Sequence, residues 1–166
     1  MYSLAIARNR ARIEGVDQAA AWSKAQAKIQ DAVAKAREYQ QPDGAFSAHM
    51  FDRPSTTAEI SGLLHSTGHV LEFLTVALTD EQLKEPWVTR AVVKLLTVLE
   101  ATKDVSLDCG GLYHAVHGLE IYRIRRWGSR DDVAWSKYAE PVAVQASKAG
   151  AMSAVETAEK KPATAR

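Results

Sequence analysis

The stretch from Thr56 to Leu78 limits the possible folds more than any other part of the chain. At 100° per residue, Ser61, His65, Gly68, His69, Glu72 and Thr75 fall within one arc of a helical wheel. Ile60, Leu63, Leu64, Val70, Leu71, Phe73, Leu74 and Ala77 fill most of the remainder. A helix that is apolar around most of its circumference has to be covered on nearly every side. Its narrow polar stripe must then face either a cavity or a polar seam. Such a helix is expected to lie largely buried, while the chain as a whole reads as organised around a later stretch of the same kind, Gly110 to Tyr122.

A second segment, Gly111 to Trp127, has the same grammar and likewise reads as an inner helix, apolar nearly all round. Each carries a pair of histidines, a glycine beside a histidine, and a glutamate three residues past the second histidine: His65, His69 and Glu72 in one, His114, His117 and Glu120 in the other. The two helices start about 55 residues apart, a spacing found in helical-hairpin repeats.

The other segments also read as helices. The opening, to about Glu14, places Arg8 and Arg12 one turn apart on a solvated face, and Asp17 is an N-cap candidate for the next helix. From Gln18 to Tyr39 the chain is dense in Ala, Lys and Gln, with Trp22, Ile29, Val33, Ala36 and Tyr39 as its apolar stripe. Gln41-Pro42-Asp43-Gly44 ends that helix. Ala45 to Pro54 is a loop plugged by Phe46, Met50 and Phe51. Thr56 and Glu59 stand at capping-box spacing for the central helix. Pro86 opens a further helix to Ala101, burying Trp87, Ala91, Leu95, Val98 and Leu99 and exposing Arg90 and Lys94. Gly128-Ser129 ends the histidine-bearing helix after it. Trp22, Trp87, Trp127 and Trp135 read as helix-packing anchors. A sixth helix is expected over Val133 to Ala149, kinked or split by Pro141, and residues 150–166 read as a disordered tail. The expected fold is all-α, with about six paired antiparallel helices in one domain over residues 1–149.

Composition narrows the class. The 166 residues are enough for one domain with a sizeable core. With 21 basic and 20 acidic residues, no overall field argues for nucleic acid or an anionic membrane. Cys109 is the single cysteine, so neither an internal disulfide nor a Cys-rich zinc site can form. No apolar run approaches the ~20 residues that span a bilayer. Arg8, Arg10 and Arg12 come after the apolar Met1–Ala7 run, the reverse of a secretory signal. A soluble, cytoplasmic helical domain is the expectation.

The junction Lys35 to Phe46, with Tyr39, Gln40 or Gln41, Gly44 and Phe46 as aromatic, Gln, Gly and aromatic, resembles the end-of-helix repeat of the α/α-toroid superfamily. That superfamily includes terpene cyclases, protein prenyltransferases and uncharacterised bacterial proteins. The stretch Trp87 to Tyr122 looks like a toroid unit as well: an outer helix, a Cys-Gly-Gly loop, then an inner helix. The resemblance covers roughly residues 18–126. It implies alternating outer and inner helices and a binding face lined by the inner ones. A complete toroid has about twelve helices, so six imply half a ring, completed by further repeats or by a second copy. The cyclases' aspartate-rich run is missing. The prenyltransferase zinc ligands find only the adjacent Asp108 and Cys109, so that role is not carried over.

The residues themselves offer three constellations. His65 and His69 share a helix face, and His114 and His117 can converge, so the four imidazoles with Glu72 and Glu120 could hold a divalent metal if the two helices faced each other. The simpler reading is that these histidines are neutral and hydrogen-bond polar groups between inner helices, and a third is a small-ligand or acid–base site with Tyr113 nearby. Cys109 at a helix start, with His114 close in sequence, could form a nucleophilic pair or could simply be a buried thiol. Arg123, Arg125, Arg126 and Arg130 form a local basic cluster, which at a helix C-terminus serves the dipole more often than a phosphate. The leading functional expectation is a binding or assembly module that works through a His-lined face. The alternative is an enzyme or small-ligand binder with a His/Glu site, assisted by a metal.

Overall fold

The computed structural model describes residues 1–15 and 19–128, and all regular structure there is helical. The helices are α1 (Tyr2–Ile13), α2 (Ala19–Glu38), α3 (Ile60–Ala77), α4 (Pro86–Ala101) and α5 (Cys109–Trp127), with a short 3-10 turn at Gln82–Lys84. The Asp17 cap, Trp135, the sixth helix with Pro141, and the tail lie outside the described residues. The chain divides into two units, Met1–Arg126 and Trp127–Arg166, and the first holds α1 to α4 and nearly all of α5. No helix among the described residues is long and apolar enough to cross a membrane.

The helix with the narrow polar stripe is the centre of the first unit. Leu64, Val70, Leu71, Phe73 and Leu74 of α3 are buried, and so are the polar Ser66, Thr67, Glu72 and Thr75. Helices α1, α2 and α4 pack on its apolar sides. The stripe itself faces α5.

Several starting points differ from the sequence reading. Helix α3 begins at Ile60, not at a Thr56 capping box. The Thr57 hydroxyl accepts the Glu59 amide proton at 3.1 Å, and the Ser55 carbonyl accepts from the Ala48 amide and the Gln41 side chain. These bonds hold residues 55–59 in the loop against helix formation. Helix α5 starts at Cys109, because the Asp108 carboxylate caps it by accepting from the Gly111 amide at 2.9 Å. The α2 stripe runs through Ala25, Ile29, Ala32 and Ala36, with Trp22 and Val33 only half-buried. Three of these four buried positions are alanines. Arg8 is not on a solvated face: its Nε is fully buried. Trp127, expected as a packing anchor, is exposed. Most consequentially, α5 is not apolar and covered all round. It buries Gly111, Ala115, Gly118 and Tyr122 and exposes Leu112, Tyr113, Val116 and Ile124.

The Gln-Gln-Pro-Asp-Gly junction ties α2 to α4. The Gln40 amide donates to the carbonyls of Gly44 at 3.0 Å and Trp87 at 2.8 Å, and its oxygen accepts from Arg90. Gly44 has φ +97°, and a Cβ there would lie 2.5 Å from the Arg90 carbonyl oxygen. Only glycine meets both demands. Phe46 then packs edge-on against Trp87, and its amide donates to the buried Thr67 hydroxyl. The junction is thereby accounted for as a structural latch.

Candidate functional site: a carboxylate among four histidines

The site exists because two helices approach at backbone distance. A Cβ on Gly68 would lie 2.5 Å from both the Ala115 nitrogen and the His114 carbonyl carbon. A Cβ on Gly111 would lie 2.7 Å from the Ser61 carbonyl oxygen, and one on Gly118 would lie 3.0 Å from that of Gly68. Gly111, Ala115 and Gly118, spaced four and three apart, thus run along the α3 backbone as one smooth face. The polar stripe of α3 is the other half of this seam. At its far end Arg125 donates to the carbonyls of Thr75 and Leu78 and pairs with Asp80 at 2.6 Å, satisfying the C-terminus of α3. Arg123 pairs with Glu120. Two arginines of the basic cluster are therefore engaged in helix ends and ion pairs.

With the backbones so close, side chains flanking the glycines meet. Glu72 is only 3% exposed, and its carboxylate gathers three imidazoles. The Nδ1 atom of His117 lies 2.7 Å from Oε1, that of His69 lies 3.1 Å from Oε2, and that of His114 spans both oxygens at 3.2 and 3.1 Å. An ionised carboxylate only accepts hydrogen bonds, so opposite an ionised Glu72 each of these Nδ1 atoms carries the proton. The lone pairs of the neutral rings are then on Nε2, turned away from Glu72.

The rings of His65, His69 and His114 come together beside Glu72. The His69 and His114 rings stack with centroids 3.5 Å apart, and the His65 ring stands edge-on to them at 4.6 and 5.2 Å. One ligating atom from each of the three lies within 4.8 Å of the others. His65 is exposed, while His69 and His114 are half-buried. Burial, then the neighbouring His114 and His65, hold the His69 pKa below its ordinary value against the opposing pull of Glu72. His69 is thus biased towards the neutral form that ligates metals.

A pocket of about 410 Å³ opens beside this cluster. Tyr113 stacks on His117 at 5.4 Å and stands edge-on to His114, and Tyr2 approaches His117 edge-on at 6.5 Å. Burial, then the Glu72 charge, then Tyr113 raise the Tyr2 pKa, so its phenol stays protonated. Met50 and Phe51 complete the wall, with Phe51 seated on Phe73. Tyr2, Met50 and Phe51 carried no site signal in the sequence. They come from the chain start and a loop, where no helical spacing links them to the histidines.

Of the candidate residues, His65, His69, Glu72, His114, His117 and Tyr113 are brought together. Cys109 is not with them. It is exposed at the first turn of α5, about 140° around the helix from His114 at 100° per residue. Chemically, the cluster offers a dehydrated carboxylate, three Nδ1–H groups oriented by it, and imidazole nitrogens beside solvent. Comparison of the chain with models of known protein families, with curated proteins and with solved structures finds no match. The toroid resemblance therefore rests on the residues that carry it.

Proposed function

We propose that the α3–α5 seam binds a divalent transition-metal ion through His65, His69 and His114, with Glu72 as the buried carboxylate that orients two of the three ligands. The observation that carries this reading is the pairing of His69 and His114 Nδ1–H with one buried carboxylate while their rings converge with His65. A carboxylate behind the far nitrogen is the usual way a ligating imidazole is fixed in tautomer and direction. Nitrogens around a tetrahedral zinc stand about 3.3 Å apart, given bonds of 2.0–2.1 Å. The three ligating atoms, already within 4.8 Å of one another, reach that spacing by side-chain rotation, which the exposed His65 leaves free. Three imidazoles suit zinc, nickel, copper or iron, and not calcium or magnesium.

Three protein ligands leave a coordination position open, where a bound ion supplies Lewis acidity to water or to a small ligand. The neighbouring residues have separate work. His117 is tied to Glu72 outside the trio and can take or return a proton at Nε2. Tyr113 and Tyr2 shield His117, and the Tyr2 phenol is a hydrogen-bond donor. Zinc titration of chelator-stripped protein by calorimetry is expected to show one ion per chain. His65→Ala and His114→Ala are each expected to weaken binding by about 100-fold or more. Absence of zinc, nickel, cobalt and copper uptake by the wild type would remove the reading, as would unchanged affinity in both variants.

The outer side of α5 supports a second reading, that of an assembly module. Leu112, Val116 and Ile124 are 37%, 49% and 41% exposed, and Val93 and Leu96 of α4 are 54% and 52% exposed. Further helices or a second copy would cover such faces, as the half-ring implied by the toroid resemblance requires. Light scattering after size exclusion is expected to give an oligomer for the wild type and a monomer for Val116→Lys. A wild-type monomer at every concentration would dismiss this second reading.

A further inference from the structure

A larger cavity lies away from the histidines. It has a volume of about 830 Å³ and is walled by α1, α2 and the chain that leaves α3. Four guanidiniums line it, those of Arg8, Arg12, Arg37 and Arg125, against the two carboxylates of Asp80 and Glu85. Both carboxylates are already committed. Asp80 takes Arg125 at 2.6 Å, and Glu85 takes Arg37 at 3.3 Å and the Trp87 indole N–H at 3.0 Å. Arg8 and Arg12, one turn apart on α1, are left without an acidic partner among the described residues. The Arg8 Nε is fully buried with no hydrogen-bond acceptor. Burial and the adjacent Arg12 charge both lower the Arg8 pKa, the mark of a cation held in place without a counter-charge.

The rest of the wall is apolar. Ile29, Val33, Val76 and Leu78 face the same space, with the buried Trp87 beneath Arg37. A charged corner on an apolar trough matches one ligand chemistry. We propose that this cavity binds an amphipathic anion, in which an oxyanion head is held by Arg8 and Arg12 and an aliphatic body lies along α2 and the end of α3. Guanidinium forks pair with carboxylate or phosphate through parallel N–H···O bonds, and they do so more strongly where water is excluded. The volume lies within the range of small-molecule sites. An oxyanion would also give the Arg8 Nε the acceptor it lacks and relieve the repulsion between the two arginines.

The test uses the full chain in a chelating buffer, so that the proposed metal site contributes nothing. Dodecanoate, dodecyl phosphate, dodecanol and inorganic phosphate are titrated separately by calorimetry, below micelle-forming concentrations. One dodecanoate or dodecyl phosphate per chain is expected, and the tighter of the two names the head group. Dodecanol is expected to bind at least about tenfold more weakly. Arg8→Gln and Arg12→Gln are each expected to weaken the amphiphile by about tenfold or more, the cost of one charge-assisted bond. Lys28→Gln, an exposed cation of α2 outside this cavity, is expected to change nothing. Arg12 is exposed, so Arg12→Gln decides the matter if Arg8→Gln does not fold. No saturable binding of either amphiphile would overturn the proposal. So would equal affinity for dodecanol and dodecanoate, inorganic phosphate binding as tightly as dodecyl phosphate, or wild-type affinity in the folded arginine variants.

Discussion

Gly68→Ala is expected to destabilise the protein by about 3–5 kcal/mol, an unusually large cost for one methyl group. In most helices this substitution stabilises by up to ~1 kcal/mol, because alanine has less backbone entropy to lose. Here the new Cβ would stand 2.5 Å from two backbone atoms of α5 and 2.8 Å from the His114 carbonyl oxygen. Backbone cannot rotate out of the way as a side chain can, so α5 has to move outward. Gly111 and Gly118 share the same seam, and the displacement would loosen both contacts. It would also draw His114 and His117 away from Glu72. Urea denaturation followed by circular dichroism measures the loss. Gly110→Ala is the control. Its Cβ would meet only the Asp108 carboxylate, at 3.1 Å, and it is expected to be neutral or slightly stabilising. Equal stability of Gly68→Ala and wild type would mean that the close crossing of the two helices is not as described.

The second large effect is expected at Glu72. Glu72→Gln keeps the shape of the side chain but replaces one acceptor oxygen by a donor NH₂. His117 and His114 bond to one oxygen, and His69 and His114 to the other. Whichever way the amide turns, at least one Nδ1–H then faces another N–H. The metal-free protein is expected to lose about 2 kcal/mol, the cost of leaving a partly buried donor unsatisfied. A histidine can escape the conflict only by moving its proton from Nδ1 to Nε2. In His69 or His114 that removes the lone pair the metal needs, so zinc affinity is expected to fall by about 10- to 100-fold. Thermal unfolding with and without zinc separates the two consequences. A stability loss in a protein that takes up no metal would leave Glu72 as the anchor of a hydrogen-bonded seam and nothing more. Wild-type zinc affinity in Glu72→Gln would show that the carboxylate does not orient the ligands.

Much of this site was legible before any fold was known. Ser61, His65, Gly68, His69, Glu72 and Thr75 share one arc because helical periodicity places them there, and α3 keeps that arc as its interface with α5. Glu72 and the histidines were found by the same arithmetic. The repeat-like symmetry between the two histidine segments was less faithful. Glu72 is buried among imidazoles, whereas Glu120, three residues past His117 in the matching position, is engaged by Arg123. Periodicity gives the direction of a side chain about its own axis and says nothing about what stands opposite. The Thr56–Glu59 pair failed as a capping box for a similar reason. Its spacing was right, but the Ser55 carbonyl and the Thr57 hydroxyl were taken up by loop bonds, including those from Ala48 and Gln41.

By itself the sequence determined that the chain forms helices, that the helix over residues 60–77 is covered on nearly every side, and that His65 and His69 share its narrow polar stripe. These follow from local spacing and from the cost of leaving apolar surface in water. Only the tertiary structure decided that Gly68, Gly111 and Gly118 face one another. That contact sets the helix separation, and the separation decides whether His69, His114 and His117 remain apart or close around Glu72. It likewise turned Arg8 from a solvated residue into one wall of a cavity. The first outcome depends on how near two backbones can come, a quantity fixed by Gly68 and Gly111, 43 positions apart in the chain.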